Sequence, residues 1–172
     1  MKLPNNRTIY FVIAILATMS LAYAFYAEFY QHIEPCPLCI AQRVIIGVIG
    51  ILAFVYAIHN PQNFINKIYG IILIALSAFG IKTAAHHQWL MSLPPEQQPL
   101  SCGMPLEVLF KKVPFNNFLD TVLKGDAECG KVTWLIFGIT PPIAVITLCS
   151  SIILLCLIVL FRKQPVPRSY LW

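Results

Sequence analysis

The sequence predicts an all-α fold: an integral membrane four-helix bundle with two outer loops and both termini in the cytoplasm. Three observations carry that prediction. Of 172 residues, 58% are apolar and 11% charged, where an ordinary soluble domain carries roughly a quarter charged residues. The apolar residues gather in four runs, each close to the roughly 20 residues that a helix needs to cross a hydrocarbon core of about 30 Å. The basic residues flanking those runs fall on one side. Four spans and their connections use the whole chain, so residues 1–172 are expected to form a single membrane domain.

The first span is expected at residues 9–29, where only Thr18, Ser20 and Glu28 interrupt the apolar run and Lys2 and Arg7 precede it. Ala22-Tyr23-Ala24 after a basic start resembles a signal-peptidase site. The apolar character continues through Phe25, Tyr26 and Phe29, beyond the 7–15 residues of a signal h-region, which favours an uncleaved span. The second span, residues 40–58, holds one charge, Arg43, and ends at the turn signal His59-Asn60-Pro61. The third, residues 68–85, carries Lys82 near its far end, a residue to which the sequence assigns no definite role. The fourth, residues 141–161, opens on Pro141-Pro142, which suit a first helical turn. The outer loops then lie at about residues 30–39 and 88–135.

Charge sets the orientation. Lys2, Arg7, Lys67, Arg162, Lys163 and Arg168 share one side, which the positive-inside rule makes cytoplasmic. All seven acids fall at the other side. Four lysines (111, 112, 124 and 131) also lie there, but in a long loop, where the rule is weak.

The six cysteines divide by location. Cys149 and Cys156 lie inside the fourth span on one helix face, where thiols in apolar surroundings are inert and pack as small hydrophobes. Cys36, Cys39, Cys102 and Cys129 lie in the outer loops, where an oxidising compartment permits disulfides. Four cysteines allow three pairings, and spacing does not choose among them. Pro35-Cys36-Pro37-Leu38-Cys39 places a CxxC where the first outer loop becomes the second span. Cys39 falls at the helix N-terminus, whose unpaired N–H groups and dipole favour a thiolate. Arg43 follows at i+4 on the same face. A charge inside a span is costly and marks function, with snorkelling to the head groups as its bland alternative.

Cys102 sits in the Pro99-Leu100-Ser101-Cys102-Gly103-Met104-Pro105 segment, an extended shape suited to presenting a disulfide to a partner's groove, or equally to a plain structural bridge. Between Cys102 and Cys129, Val113, Phe115, Phe118, Leu119, Val122 and Leu123 recur at helical spacing, as in a short amphipathic segment lying in the membrane surface or covering the bundle top.

This pattern resembles the DsbB family of disulfide-bond formation proteins, inner-membrane quinone reductases that reoxidise the periplasmic thiol oxidase DsbA. The resemblance covers nearly the whole chain: four spans, CxxC at the outer start of the second, Arg43 four residues on, and a long outer loop with two cysteines. It extends to His87 in Ala85-His86-His87-Gln88-Trp89-Leu90. It implies that Cys36 and Cys39 form the quinone-proximal pair, with Cys39 the thiolate facing the ring. Cys102 and Cys129 would form the DsbA-facing pair, with Cys102 the sulfur attacked. Arg43 would stabilise the Cys39 thiolate and the reduced quinone. His87 would help hold the ring, although the doubled His86-His87 leaves that choice open. The cofactor implied is ubiquinone or menaquinone, the partners are a DsbA-like thioredoxin-fold protein and membrane lipid, and nothing points to nucleic acid.

Rival readings remain at this level. A vitamin K epoxide reductase-like enzyme also joins CxxC to a quinone, but its CxxC usually lies late in the chain. A metal-binding membrane protein could use Cys36, Cys39, His32 and His86 or His87 as ligands, against which the positive charge of Arg43 stands. A transporter would be expected to show internal repeats, which are absent.

Overall fold

In the computed structural model of the protein, residues 5–32, 35–61, 64–94, 96, 123, 125, 129 and 138–162 are described. Cys102 and the amphipathic segment from Val113 to Val122 lie outside them. The regular elements are four helices: α1 (Asn6–Gln31), α2 (Pro37–His59), α3 (Phe64–Ser92) and α4 (Pro141–Phe161). All four are long and apolar enough to cross a membrane, which makes this a multi-pass membrane protein.

The helices start and stop for local reasons. Cys36 is the N-cap of α2, with Pro37 following as the first helical residue; Thr140 caps α4 ahead of Pro141 and Pro142. Proline costs nothing there, because its missing N–H would have been unpaired anyway. His32 and Asn60 adopt left-handed backbone, with φ 53° and 43°, and end α1 and α2.

Three of the four helices overrun the apolar runs that predict them, while α4 keeps the expected bounds, Pro141–Phe161. α1 gains three residues at its start and two at its end, and α2 three and one, whereas α3 begins at Phe64 rather than 68 and continues through Ser92 rather than ending at 85. Its 29 residues reach about 43 Å, well beyond a hydrocarbon core of about 30 Å. The polar run after Ala85 is therefore helical. His86 and His87 stand inside the helix with a fixed angle between them, and residues 88–92, expected in the loop, form its last turn.

α3 packs most extensively on α4, α1 on α2, and α2 on α3, while α1 and α4 barely meet. In the half away from the CxxC, Tyr10, Ile13, Ile49, Tyr56, Leu73 and Ile152 form the core. There Tyr10 stacks on Tyr56 at 3.6 Å between ring centroids, and the Tyr56 hydroxyl donates to Asn66 Oδ1 at 2.6 Å. Cys149 and Cys156 are fully buried. A Cβ built on Gly80 would come within 3.0 Å of Cys149 Sγ, so the glycine is what lets α3 and α4 approach this closely. Met19, Ile51, Ile71 and Leu154 point outward and are exposed, as lipid-facing side chains must be when the surrounding solvent is itself apolar.

Candidate redox site at the helix ends

Three elements converge where the CxxC enters the bundle: the start of α2, the last turns of α3 and the C-terminal part of α1. Cys36 Sγ accepts the backbone N–H of Cys39 at 3.4 Å, closing the first turn of α2 on its own sulfur. Across from it, His87 is buried, 4% exposed, and its Nε2 lies 3.8 Å from Cys36 Sγ. Gln42, one turn into α2 and also buried, places its amide Nε2 3.4 Å from His87 Nδ1. If the Gln42 amide donates to Nδ1, the ring proton sits on Nε2 and points at Cys36.

Cys129 completes the cluster. It is fully buried and packs with Cys36, Leu38 and Leu90, its thiol hydrogen-bonds to Cys36 and its backbone to His87. What brings it down is visible at Gly125, whose φ of 73° suits glycine. A Cβ there would come within 2.8 Å of both Leu38 and Leu90. The chain at Gly125 is thus seated against Leu38 of α2 and Leu90 of α3.

Among the described residues Cys36, Cys39 and Cys129 are not joined to one another by a disulfide. The Cys36 thiol is pushed up to about 12. The hydrogen bond from Cys129 pulls the other way, but Cys36's own donation to the Cys39 sulfur, its burial and the charge on Cys39 outweigh it. The last proton of the CxxC pair therefore stays on Cys36.

Arg43 stands one turn beyond Cys39 along α2, but it is not alone. Its Nη1 donates to Glu28 of α1 in a close ion pair, its Nη2 donates to the Ala24 carbonyl oxygen at 3.2 Å, and its guanidinium lies 5.4 Å from the Phe25 ring centroid. Three groups of α1 thus hold the guanidinium in place. Glu28 and Gln42 are the site residues that sequence reasoning misses. Glu28 interrupts an apolar run at a spacing that nothing in the sequence connects to Arg43, and Gln42 looks like any helix-surface amide.

The doubled histidines part company. His87 faces Cys36, whereas His86 is half-buried and stacks on Trp89 with centroids 5.6 Å apart. Lys82 is exposed on α3.

A family model described as disulfide bond formation protein DsbB matches residues 6–161. The chain belongs to the DsbB family. Disulfide bond formation protein B of Marinobacter nauticus is 35% identical over 170 residues, covering 97% of this chain and 98% of the relative. Its counterpart in Acinetobacter baylyi is 34% identical over 156 residues, covering 90% and 91%, and that of Nitrosococcus oceani 37% over 136 residues, covering 79% and 80%. Membership in the DsbB family makes the protein a membrane oxidoreductase of disulfide formation, and it decides against the vitamin K epoxide reductase-like alternative.

Proposed function

We propose that this DsbB-family protein is a thiol:quinone oxidoreductase of the bacterial inner membrane, which reoxidises a DsbA-like periplasmic partner and passes the electrons to ubiquinone or menaquinone. In this reading both termini are cytoplasmic and the four outer cysteines face the periplasm. The observation that carries it is the meeting of Cys36, Cys39 and Cys129 with His87 at one end of the bundle. Disulfide exchange needs the attacking and leaving sulfurs in contact, and here a loop cysteine lies against the CxxC.

Reduced partner attacks the Cys102–Cys129 disulfide at Cys102, and a second exchange releases the partner oxidised, leaving Cys102 and Cys129 as thiols. Cys129 then attacks Cys36 of the Cys36–Cys39 disulfide, joining Cys36 to Cys129 and freeing Cys39 as the leaving thiolate. Cys102 resolves that bridge, which returns Cys102–Cys129 to the disulfide and leaves the electron pair on Cys36 and Cys39. The Cys39 backbone N–H donates to Cys36 Sγ and His87 Nε2 lies 3.8 Å from it, so with its proton on Nε2 the ring joins that N–H in holding charge on Cys36 while it is exchanged.

A bound quinone supplies a lipid-soluble acceptor for two electrons and two protons. The residues fit one. Cys39 is only partly buried. Arg43 spends two of its five N–H groups on Glu28 and Ala24, which leaves donors for a ring oxygen. The exposed Val44 and Phe25 beside it offer an apolar approach from lipid. His87 and Arg43 would orient the ring, with His86 outside that set.

The test is quinone consumption by detergent-purified enzyme supplied with a reduced periplasmic thioredoxin-fold protein. Cys36→Ser and Cys39→Ser should each abolish it. Normal turnover in either variant refutes the proposal.

A further inference from the structure

The sulfurs of Cys36 and Cys39 and a ring nitrogen of His87 all lie within 4.8 Å of one another. Tetrahedral zinc, with Zn–S of about 2.3 Å and Zn–N of about 2.0–2.1 Å, sets its ligand atoms about 3.5–3.8 Å apart. The 3.8 Å between Cys36 Sγ and His87 Nε2 already meets that requirement. The triad also has the outer support that metal-bound histidine needs. When Nε2 ligates, the proton moves to Nδ1 and requires an acceptor. Gln42 is beside Nδ1, and rotation of its amide presents the oxygen in place of the nitrogen.

The objection to a cation here is the positive charge of Arg43. The ion pair with Glu28 answers it, since the carboxylate offsets the guanidinium. Two thiolates then balance one divalent ion.

We propose that the reduced Cys36, Cys39 and His87 triad binds a thiophilic divalent cation of the zinc type, which takes both sulfurs as thiolates and withdraws them from disulfide exchange. Two thiol protons leave for solvent as the two metal–sulfur bonds form, and no electrons move. The oxidised centre, whose sulfurs are bonded to each other, has no such site. If the pair cycles as proposed above, the cation arrests the enzyme in its reduced state.

The experiment uses full-length protein in detergent, carrying Cys102→Ser and Cys129→Ser so that the triad supplies the outer thiols. The protein is reduced with a phosphine and titrated with cadmium ion. One equivalent should bind with the ultraviolet cadmium–thiolate charge-transfer band, and the oxidised form should show none. Cys36→Ser or Cys39→Ser on that background should lose the band. His87→Ala should weaken binding at least tenfold, and Gln42→Ala about 10–100-fold, the usual effect of an outer-shell partner, with the titratable thiol count unchanged in both. Absence of a saturable band at one equivalent overturns the inference. So does equal affinity in His87→Ala, which would mean chelation by any nearby dithiol. No quinone or partner is present, so failure here is separate from failure of the proposed turnover.

Discussion

Arg43→Ala separates the ion pair that Arg43 makes with Glu28 from the hold on quinone proposed for it. The ion pair is intermediate in burial, with Arg43 and Glu28 side chains 16% and 29% exposed. An exposed pair contributes about 0–1 kcal/mol, and removing one member of a buried pair costs about 3–5 kcal/mol. Stranding Glu28 should therefore cost about 2 kcal/mol, or a fall in Tm of about 4–8 °C for a chain of this size. Adding Glu28→Gln removes the stranded carboxylate, so the double variant should recover most of that loss. Quinone use should not follow. A hydrogen bond from a charged donor is worth about 1.5–3 kcal/mol, so both the single and the double variant should bind quinone about 10–150-fold more weakly. The assay pairs thermal unfolding in detergent with a quinone titration of turnover for the wild type, Glu28→Gln, Arg43→Ala and the double variant. Recovery of quinone affinity together with stability in the double variant would refute the reasoning, since Arg43 would then serve only to neutralise Glu28.

Of the two histidines, His87→Ala should depress quinone-dependent turnover by tenfold or more, while His86→Ala should leave it within about twofold; steady-state kinetics decides. Cys36 in the reduced protein has its pKa raised from 9.0 to about 12, so its contribution to stability is complete below pH 9 and is lost as pH rises towards 12. Unfolding of the reduced protein across that window should show the loss, and Cys36→Ser should remove it. Gly125→Ala forces a side chain into left-handed backbone and against Leu38 and Leu90. It should lift Cys129 from Cys36, slowing turnover with the protein reductant several-fold while reduction of quinone by a small dithiol persists. Cys149→Ala with Cys156→Ala should cost about 1 kcal/mol per site and leave turnover intact, measured by unfolding and by the quinone assay.

The four spans were legible because crossing a membrane demands uninterrupted apolar length, a property of the sequence alone. The start of α2 was legible for a similar reason, since Cys36, Pro37, Cys39 and Arg43 lie within two turns and helix geometry fixes their relation. The extent of α3 was not. His86, His87 and Gln88 end the apolar run, yet the helix continues, because a helix leaving lipid satisfies its own backbone whatever its side chains. Which histidine turns inward depends on the rotational phase of α3 against α2, and the pairing of Arg43 with Glu28 depends on the register of α1. Both are set by packing between helices and leave no local trace. Cys129 against Cys36 depends on Gly125 sitting against Leu38 and Leu90, a contact far apart in sequence.

Gln88 follows His87 on α3, and its Oε1 accepts the Thr140 hydroxyl at 2.8 Å, just where α4 begins. This latch pins the entry of one span to the shoulder of another at the level of the reactive sulfurs. The depth at which the chemistry takes place is then a property of the helical frame. Tilting α4 would carry the histidine with it and shift the height at which it meets Cys36.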